Sequence, residues 1–523
     1  MVQNCNRGLL EEIPIISATA LLVSTYEHSF DLNRRTRYSG LAMATTRKIR
    51  NTGSGGSKQA TRKTKRAKAP SSGAAIRTFP SAVKALLSRP NVEQLRPARI
   101  TPETFKLDRM AALLEALGSP QQDLHAIHIA GTIGKGSTVA MMQSMLRGCG
   151  WTTGTYTSPH LVDIRERIAI NGEPISTSAF TELTRQVTKA ADDASLDVSF
   201  FELVTAMSLL HFTEEATDIA IVETGLGGRL DATNLVIPTV SLITKIEFDH
   251  QHLLGNTLGE IAREKAGIFK PGIPALSVKQ APEAEAALRE VAEEVGTELR
   301  IIGKEIEFSS RFCVTDDLGA HMRVCLLGDR IHYMHLPVPL SGSHQADNCA
   351  LALAAMDMLG NGAEEFKESS IFRGLATTKN PGRMDMIWKQ PRILVDGAHN
   401  PASMQALMKG IGSHVQFDSM ICIFGCNADK DVEANLKALS LGGDKIIFTK
   451  ASDQPRAAEP EDLAKKFEKL SGRRCQTADS IREAIGIATQ ASGREDLICV
   501  TGSFYLVGET MAMFEKVKAA RAK

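Results

Sequence analysis

The sequence predicts an α/β protein: a P-loop-type doubly wound domain followed by a smaller Rossmann-like α/β domain. Three observations carry this. From Ile127 onward, short apolar runs ending in Gly, Asp, Glu or His alternate with helix-length amphipathic segments, the pattern of a parallel sheet covered on both faces. One of these runs opens directly into a glycine-rich turn and a helix. The alternation lapses between residues 299 and 340 and then resumes, and 523 residues exceed what a single ordinary core holds.

Taken in order, residues 1–95 read as a disordered basic N-terminal extension. Its stretch 44–75 has almost nothing to bury, and the segment from Arg47 to Lys68 holds nine basic residues and no acid. It reads as a solvated tail, as sequence upstream of a natural start at Met43, or as an organelle import signal. Folded structure is expected from near Phe79, with a helical pattern through Met110, Leu113, Leu114 and Leu117. Residues 96–380 form the first domain, with strands expected at 126–130, 219–222 and 240–246. Residues 299–340 show strand-like stretches at 322–327 and 331–336 and no clear helix, dividing the α/β pattern in two. Asn380-Pro381-Gly382 breaks any regular element and marks the junction. Residues 381–523 form the second domain, with strands at 392–395, 420–424, 445–449 and 497–501.

Composition excludes more than it names. The net charge of +1 leaves everything outside the basic segment at about −8, which argues against a nucleic-acid binder. No stretch approaches the roughly 20 apolar residues of a membrane span, and the run 13–24 follows Glu11 and Glu12 rather than the positive charge of an export signal. Nine scattered cysteines suit reduced thiols and a cytoplasmic location. Cys422 and Cys426 lack a neighbouring Cys/His pair that would complete a zinc site.

The strongest local signal is Gly131-Thr132-Ile133-Gly134-Lys135-Gly136-Ser137-Thr138, between an apolar run and a helix carrying Val139, Met142 and Leu146 on one face. Glycines let backbone amides approach phosphate oxygens, the helix N-terminus adds partial positive charge, and Lys135 supplies a full one. The spacing departs from G-x-x-x-x-G-K-[ST], because position 129 is Ile and Gly136 follows the lysine. Glu223 and His250 each fall just beyond an apolar run, the edge where open α/β sheets bind ligands. On its own His250 would be read as a hydrogen-bonded strand-end residue. Lys265 follows a Thr257-x-x-Glu260 capping box and, alone, would be a helix C-terminal charge.

The loop resembles the ATP loop of the folylpolyglutamate synthase branch of the Mur ligase family, and further segments agree in order and spacing. Thr157-Ser158-Pro159-His160-Leu161, then Arg165-Glu166-Arg167-Ile168 with Asn171-Gly172, is similar to the family's folate-side loop. Glu223 to Asn234 resembles its second signature. Asp249-His250, Glu264-Lys265-Ala266-Gly267, His344-Gln345 with Asn348, Pro381-Gly382-Arg383, Asp396 to Pro401 and Thr501 to Gly508 complete the series, spanning about 105–510.

The resemblance implies an ATP-dependent ligase of folate biosynthesis and one-carbon metabolism, adding L-glutamate to a folate or pterin carboxylate through an acyl phosphate. It implies that the first domain is the ATPase domain, that Gly131, Thr132, Gly134, Lys135, Gly136, Ser137, Thr138, Asn348, Arg383 and Asp396 contact ATP, and that Lys135, Lys265 and His399 serve catalysis. Ser158, Glu223 and His250 would bind Mg²⁺, with a second ion helped by a carbamylated Lys265. The partners are small molecules, with no nucleic acid or membrane, and the chain would be a monomer. Two positions depart from the pattern: Ile133 stands where a polar residue is usual, and Asn380 where an aromatic is common. The competing readings are a cell-wall Mur ligase, a P-loop kinase and a non-catalytic nucleotide-binding protein. The first is disfavoured by the folate-side loop, the last by Lys135, Glu223, His250 and Lys265 occurring together. No motif separates dihydrofolate synthase from folylpolyglutamate synthase or from a chain that is both.

Overall fold

Ala126–Ala130 is buried along its whole length, as a central parallel strand must be, and the first sheet is built outward from it. A computed structural model describes residues 76–91, 93, 106–359, 366–452 and 454–521, all within one compact unit. The first sheet comprises β1 (Ala126–Ala130), β2 (Thr153–Tyr156), β3 (Ile168–Ile170), β4 (Glu173–Pro174), β5 (Ile219–Glu223), β6 (Val240–Ile243), β7 (Ala275–Ser277) and β8 (Leu299–Ile301), in the order β4-β3-β2-β5-β1-β6-β7-β8. β2, β5, β1, β6, β7 and β8 run parallel. β3 and β4 form an antiparallel edge. From β1 the chain passes to β2 on one side, and β6 lies on its other side. The loop after β1 therefore sits at the point where the winding reverses, the crevice that open sheets use for ligands.

Each face of this sheet has its own core. Ile127 and Ile129 pack with the helices Lys135–Gly148 and His344–Leu359. Ala126, Ala220 and Val222 pack with Leu107–Ala116, Thr177–Asp193 and Phe200–Glu214. The extension expected to be disordered through residue 95 contains folded structure. Phe79–Leu87 is a helix, started by a Thr78/Ser81 capping box, and it buries Ala82 and Leu86 in the second core. Residues 1–75 of the expected extension lie outside the described residues.

The segment 299–340 forms a three-stranded antiparallel sheet, β9 (Phe308–Thr315), β10 (Gly319–Leu327) and β11 (His332–Pro337), ordered β11-β10-β9. Met322, Val324, Leu326, Tyr333 and Leu336 join the core that holds Ile127 and the helix His344–Leu359. The hairpin thus extends the first lobe instead of dividing the α/β pattern. β9 escapes a periodicity reading because it is an edge whose Phe312 and Val314 stay exposed.

The second lobe is a six-stranded sheet of β12 (Asp385–Lys389), β13 (Arg392–Asp396), β14 (Met420–Phe424), β15 (Lys445–Phe448), β16 (Gln476–Thr477) and β17 (Leu497–Thr501), ordered β12-β13-β17-β14-β15-β16. Only β12 runs antiparallel. Helices Pro401–His414, Val432–Ser440 and Pro460–Ser471 cover one face, and Ile481–Ala491 with Phe504–Arg521 the other. The eight described cysteines are free, and Cys422 lies in register with Cys499 inside this sheet. Among the described residues no helix is long and apolar enough to cross a membrane.

Candidate active site

The turn after β1 is shaped by what lies behind it. Gly131 has φ 151°, and a Cβ there would fall 1.8 Å from Thr244 Oγ1. Gly134 has φ 99°, and its Cβ would fall 2.2 Å from Asn348 Oδ1. Both positions therefore require glycine. The amides of Thr132 and Ile133 donate to the Lys245 carbonyl at 2.9 and 3.1 Å, so they brace the loop rather than face a ligand. The amides left to meet an anion are those of the first turn of Lys135–Gly148, whose N-cap Gly134 supplies no side-chain bond.

Two ammonium groups converge here. Lys135 Nζ and Lys265 Nζ donate to the Gly131 carbonyl at 3.1 and 3.0 Å, and Lys135 lies 3.8 Å from Glu223 Oε1. The capping box at Thr257 starts the helix Leu258–Ala266 as expected and delivers Lys265 into the interior, 4 % exposed. Burial, reinforced by Lys135, holds its amine down to about 7. Thr138 is fully buried and donates to the Gly134 carbonyl at 3.0 Å, so it belongs to the helix start and not to the cleft wall. Asn348 also lies behind the wall, against Gly134, and donates to Gln345 Oε1 at 3.0 Å.

Glu223 ends β5 level with Ile129, and its Oε2 accepts the Ser158 amide at 3.3 Å. Burial raises its pKa against the pull of Lys135 and Ser158. His250 takes a left-handed φ of 50° and is held down to about 3, by burial first. Its neighbour Asp249 reaches across to the second lobe, accepting Lys430 Nζ at 2.6 Å and Asn400 Nδ2 at 3.4 Å, with His399 Nε2 at 3.7 Å. Burial of Asp249 is outweighed by His250, His399 and Lys430 together, which hold it well below the carboxylate range. Among the described residues no cluster of three His, Cys, Asp or Glu side chains forms a metal site. The hydroxyl, carboxylate and imidazole of Ser158, Glu223 and His250 all line the same cleft, and the buried Glu223 carboxylate is a hard oxygen donor in want of positive charge. This donor set fits Mg²⁺.

The opposite wall comes from the second lobe. Asp396, at the end of β13, accepts the amides of Met384 and Ala398, both at 2.8 Å. Burial raises its pKa while Arg383 lowers it. The Arg383 guanidinium lies 4.3 Å over the Phe504 ring. His399 Nδ1 donates to the Gly397 carbonyl at 2.8 Å, which turns Nε2 toward Asp249. These groups, the phosphate loop, Ser158, Glu223, His250 and Lys265 line one cleft of ≈ 330 Å³. Phe201, Leu226, Leu230 and Asp231 also line it.

In the folate-side loop, Glu166 accepts the amides of Leu161, Val162 and Asp163 at 2.7, 2.9 and 2.7 Å. Arg167 is wholly buried, paired with Glu93 at 2.7 and 2.9 Å and donating to His160 Nδ1 at 2.9 Å. These motif residues hold the loop's shape. Sequence reasoning missed the cross-lobe pairing of Asp249 with Lys430. The available signal was that Lys430 follows β14 at the same ligand-facing edge as Asp396.

Fold and site together define a two-lobed α/β protein with a glycine loop and a cationic cleft suited to nucleotide phosphates. The Mur ligase middle domain matches residues 129–356, and the Mur ligase glutamate ligase domain matches residues 382–504. The dihydrofolate synthase/folylpolyglutamate synthase of Bacillus subtilis is 33% identical over 77% of this chain and 93% of its own. That of Mycobacterium tuberculosis is 33% identical over 85% and 97%. Among solved structures, Escherichia coli FolC in complex with DHPP and ADP has a TM-score of 0.74 at 30% identity, covering 86% of this chain and 100% of that one. The Mycobacterium tuberculosis folylpolyglutamate synthase complexed with ADP has 0.75 at 31%, covering 83% and 98%. The chain belongs to the folylpolyglutamate/dihydrofolate synthase branch of the Mur ligase family.

Proposed function

We propose that the chain is an ATP-dependent ligase that joins L-glutamate to a folate or pterin carboxylate. The observation that carries the reading is the single cleft in which Lys135, Lys265 and Glu223 of the first lobe face Arg383, Asp396 and His399 of the second. Relatives solved with ADP and with DHPP support the two small-molecule substrates.

ATP lies with its phosphates on the first turn of Lys135–Gly148 and its nucleoside toward Arg383 and Asp396. The acceptor enters the same cleft, whose lining includes the Phe201 ring and the Asp231 carboxylate, groups suited to a flat, hydrogen-bonding ring. Its carboxylate attacks the γ-phosphate, giving an acyl phosphate and ADP, and the glutamate amine then displaces phosphate through a tetrahedral intermediate. Lys135 offsets charge on the transferring group, and His399, aimed by Gly397, organises charge near it. Mg²⁺, which Ser158, Glu223 and His250 would hold, would supply charge neutralisation at the phosphates. Lys265, whose amine burial holds down to about 7, has more of the uncharged form that carbamylation by CO₂ requires than an exposed lysine has, and the resulting anion would help hold a second ion. Closure of the lobes, residues 96–380 and 381–523, excludes the water that would hydrolyse the acyl phosphate. The enzyme works as a cytoplasmic monomer.

The test is ADP release from purified protein with ATP, Mg²⁺ and glutamate, adding dihydropteroate or tetrahydrofolate separately and identifying products by mass spectrometry. Turnover with both acceptors establishes a bifunctional enzyme, and turnover with one names it. Folded, ATP-binding protein that turns over neither acceptor would refute the folate assignment.

A further inference from the structure

Asn380 lies in the linker between the lobes, where the family pattern leads one to expect an aromatic, yet its side chain reaches the phosphate loop. Asn380 Nδ2 donates to Ser137 Oγ at 2.9 Å. Gln345 Nε2 donates to the same oxygen at 3.2 Å. The Gln345 amide is oriented by Asn348, whose Nδ2 donates to Gln345 Oε1 at 3.0 Å. Ser137 is 4 % exposed and lines the cleft.

A hydroxyl offers one proton and two lone pairs. Two amide donors occupy both lone pairs of Ser137, so its remaining capacity is to donate. In the usual phosphate loop the hydroxyl that directly follows the lysine coordinates Mg²⁺; here Gly136 takes that position, and Ser137, one residue further on, has no lone pair to spare. We infer that Asn380 is a positioning residue that, with Gln345, fixes Ser137 as a hydrogen-bond donor to a nucleotide phosphate and not as a metal ligand. This rests on the reading of the loop as the ATP site. It also gives the linker a direct contact with the phosphate loop.

The experiment is ATP affinity by calorimetry for the full chain and for Ser137→Ala, Asn380→Ala and the double variant, in EDTA and again in Mg²⁺, with thermal midpoints as the folding control. A hydrogen bond to a charged phosphate corresponds to a change of roughly 10-fold or more. Ser137→Ala and Asn380→Ala should each weaken binding about that much, in EDTA as well as in Mg²⁺, and the double variant should match Ser137→Ala alone because Asn380 acts through Ser137. Asn380→Asp keeps the shape but can only accept, so it should draw the Ser137 proton away from phosphate and weaken ATP more than Asn380→Ala does. Losses seen only in Mg²⁺, or additive losses in the double variant, would overturn the assignment. Lys135→Ala binding ATP as tightly as the parent would overturn the ATP-site reading itself, and the inference with it.

Discussion

The turns after β1 and β13 occupy the same place in their sheets, the carboxyl end of a buried parallel strand, yet they are built in opposite ways. After β1 the chain spends glycines, bracing two amides on Lys245 and presenting a helix start and two lysines. After β13 it presents a carboxylate, Asp396, already satisfied by the amides of Met384 and Ala398 and set beside Arg383. The first turn is a socket for anions, and the second is a fixed acceptor with a stacked cation. One architecture therefore supplies complementary halves of a site, and the cross-lobe contacts of Asp249 with Lys430, His399 and Asn400 bring them together.

The contrast can be broken at either end. Removing the full charge from the socket should have the largest effect: Lys135→Ala is expected to lower turnover by about 10²–10³-fold, the scale of losing one preorganised group at a site of developing charge, read in steady-state kinetics. Gly134→Ala should follow, because the added methyl meets Asn348 at 2.2 Å in a backbone conformation that disfavours any side chain. ATP affinity should collapse while the far-ultraviolet spectrum of the fold persists. On the second turn, Arg383→Lys keeps the charge but loses the planar stack on Phe504, and a desolvated stack of this kind is worth about 2 kcal/mol. The expected result is a roughly 30-fold rise in KM for ATP with kcat changed less.

A smaller effect concerns stability. His128, inside β1, is fully buried and held down to about 3 by burial. The unfolded chain binds its proton near pH 6.5 and the folded chain does not, so stability is complete above about 6.5 and declines as pH falls toward 3. In acid titrations followed by circular dichroism, His128→Gln should unfold at lower pH relative to its own neutral-pH stability. An unchanged acid limb would remove His128 from the account.

How much of this was legible follows from where the information lies. β14 was readable to the residue because a continuous apolar run stops at glycine, and β1 because an apolar run interrupted only by His128 stops at Gly131. β16, Gln476–Thr477, is a polar, exposed two-residue edge with no such pattern. The start of folded structure near Phe79 was readable, and the helix Phe79–Leu87 begins there, capped by Thr78 and Ser81; only the bound of the extension at residue 95 ran past it. In the site, the motif residues Lys135, Glu223, His250, Lys265, Arg383, Asp396 and His399 do meet at one cleft. Thr138 and Asn348 look like wall residues in sequence and are placed behind it by packing. Asp249–Lys430 spans 181 positions of chain, a pairing that only the juxtaposition of two lobes creates.

The central claim is that the cleft transfers phosphate to a substrate carboxylate before the amine attacks. It is tested most directly by labelling the acceptor carboxylate with heavy oxygen and analysing the phosphate released during a single turnover with ATP and glutamate. The account predicts that one labelled oxygen appears in inorganic phosphate for each glutamate joined. Phosphate free of label, with the label retained in the acceptor or its product, would contradict it.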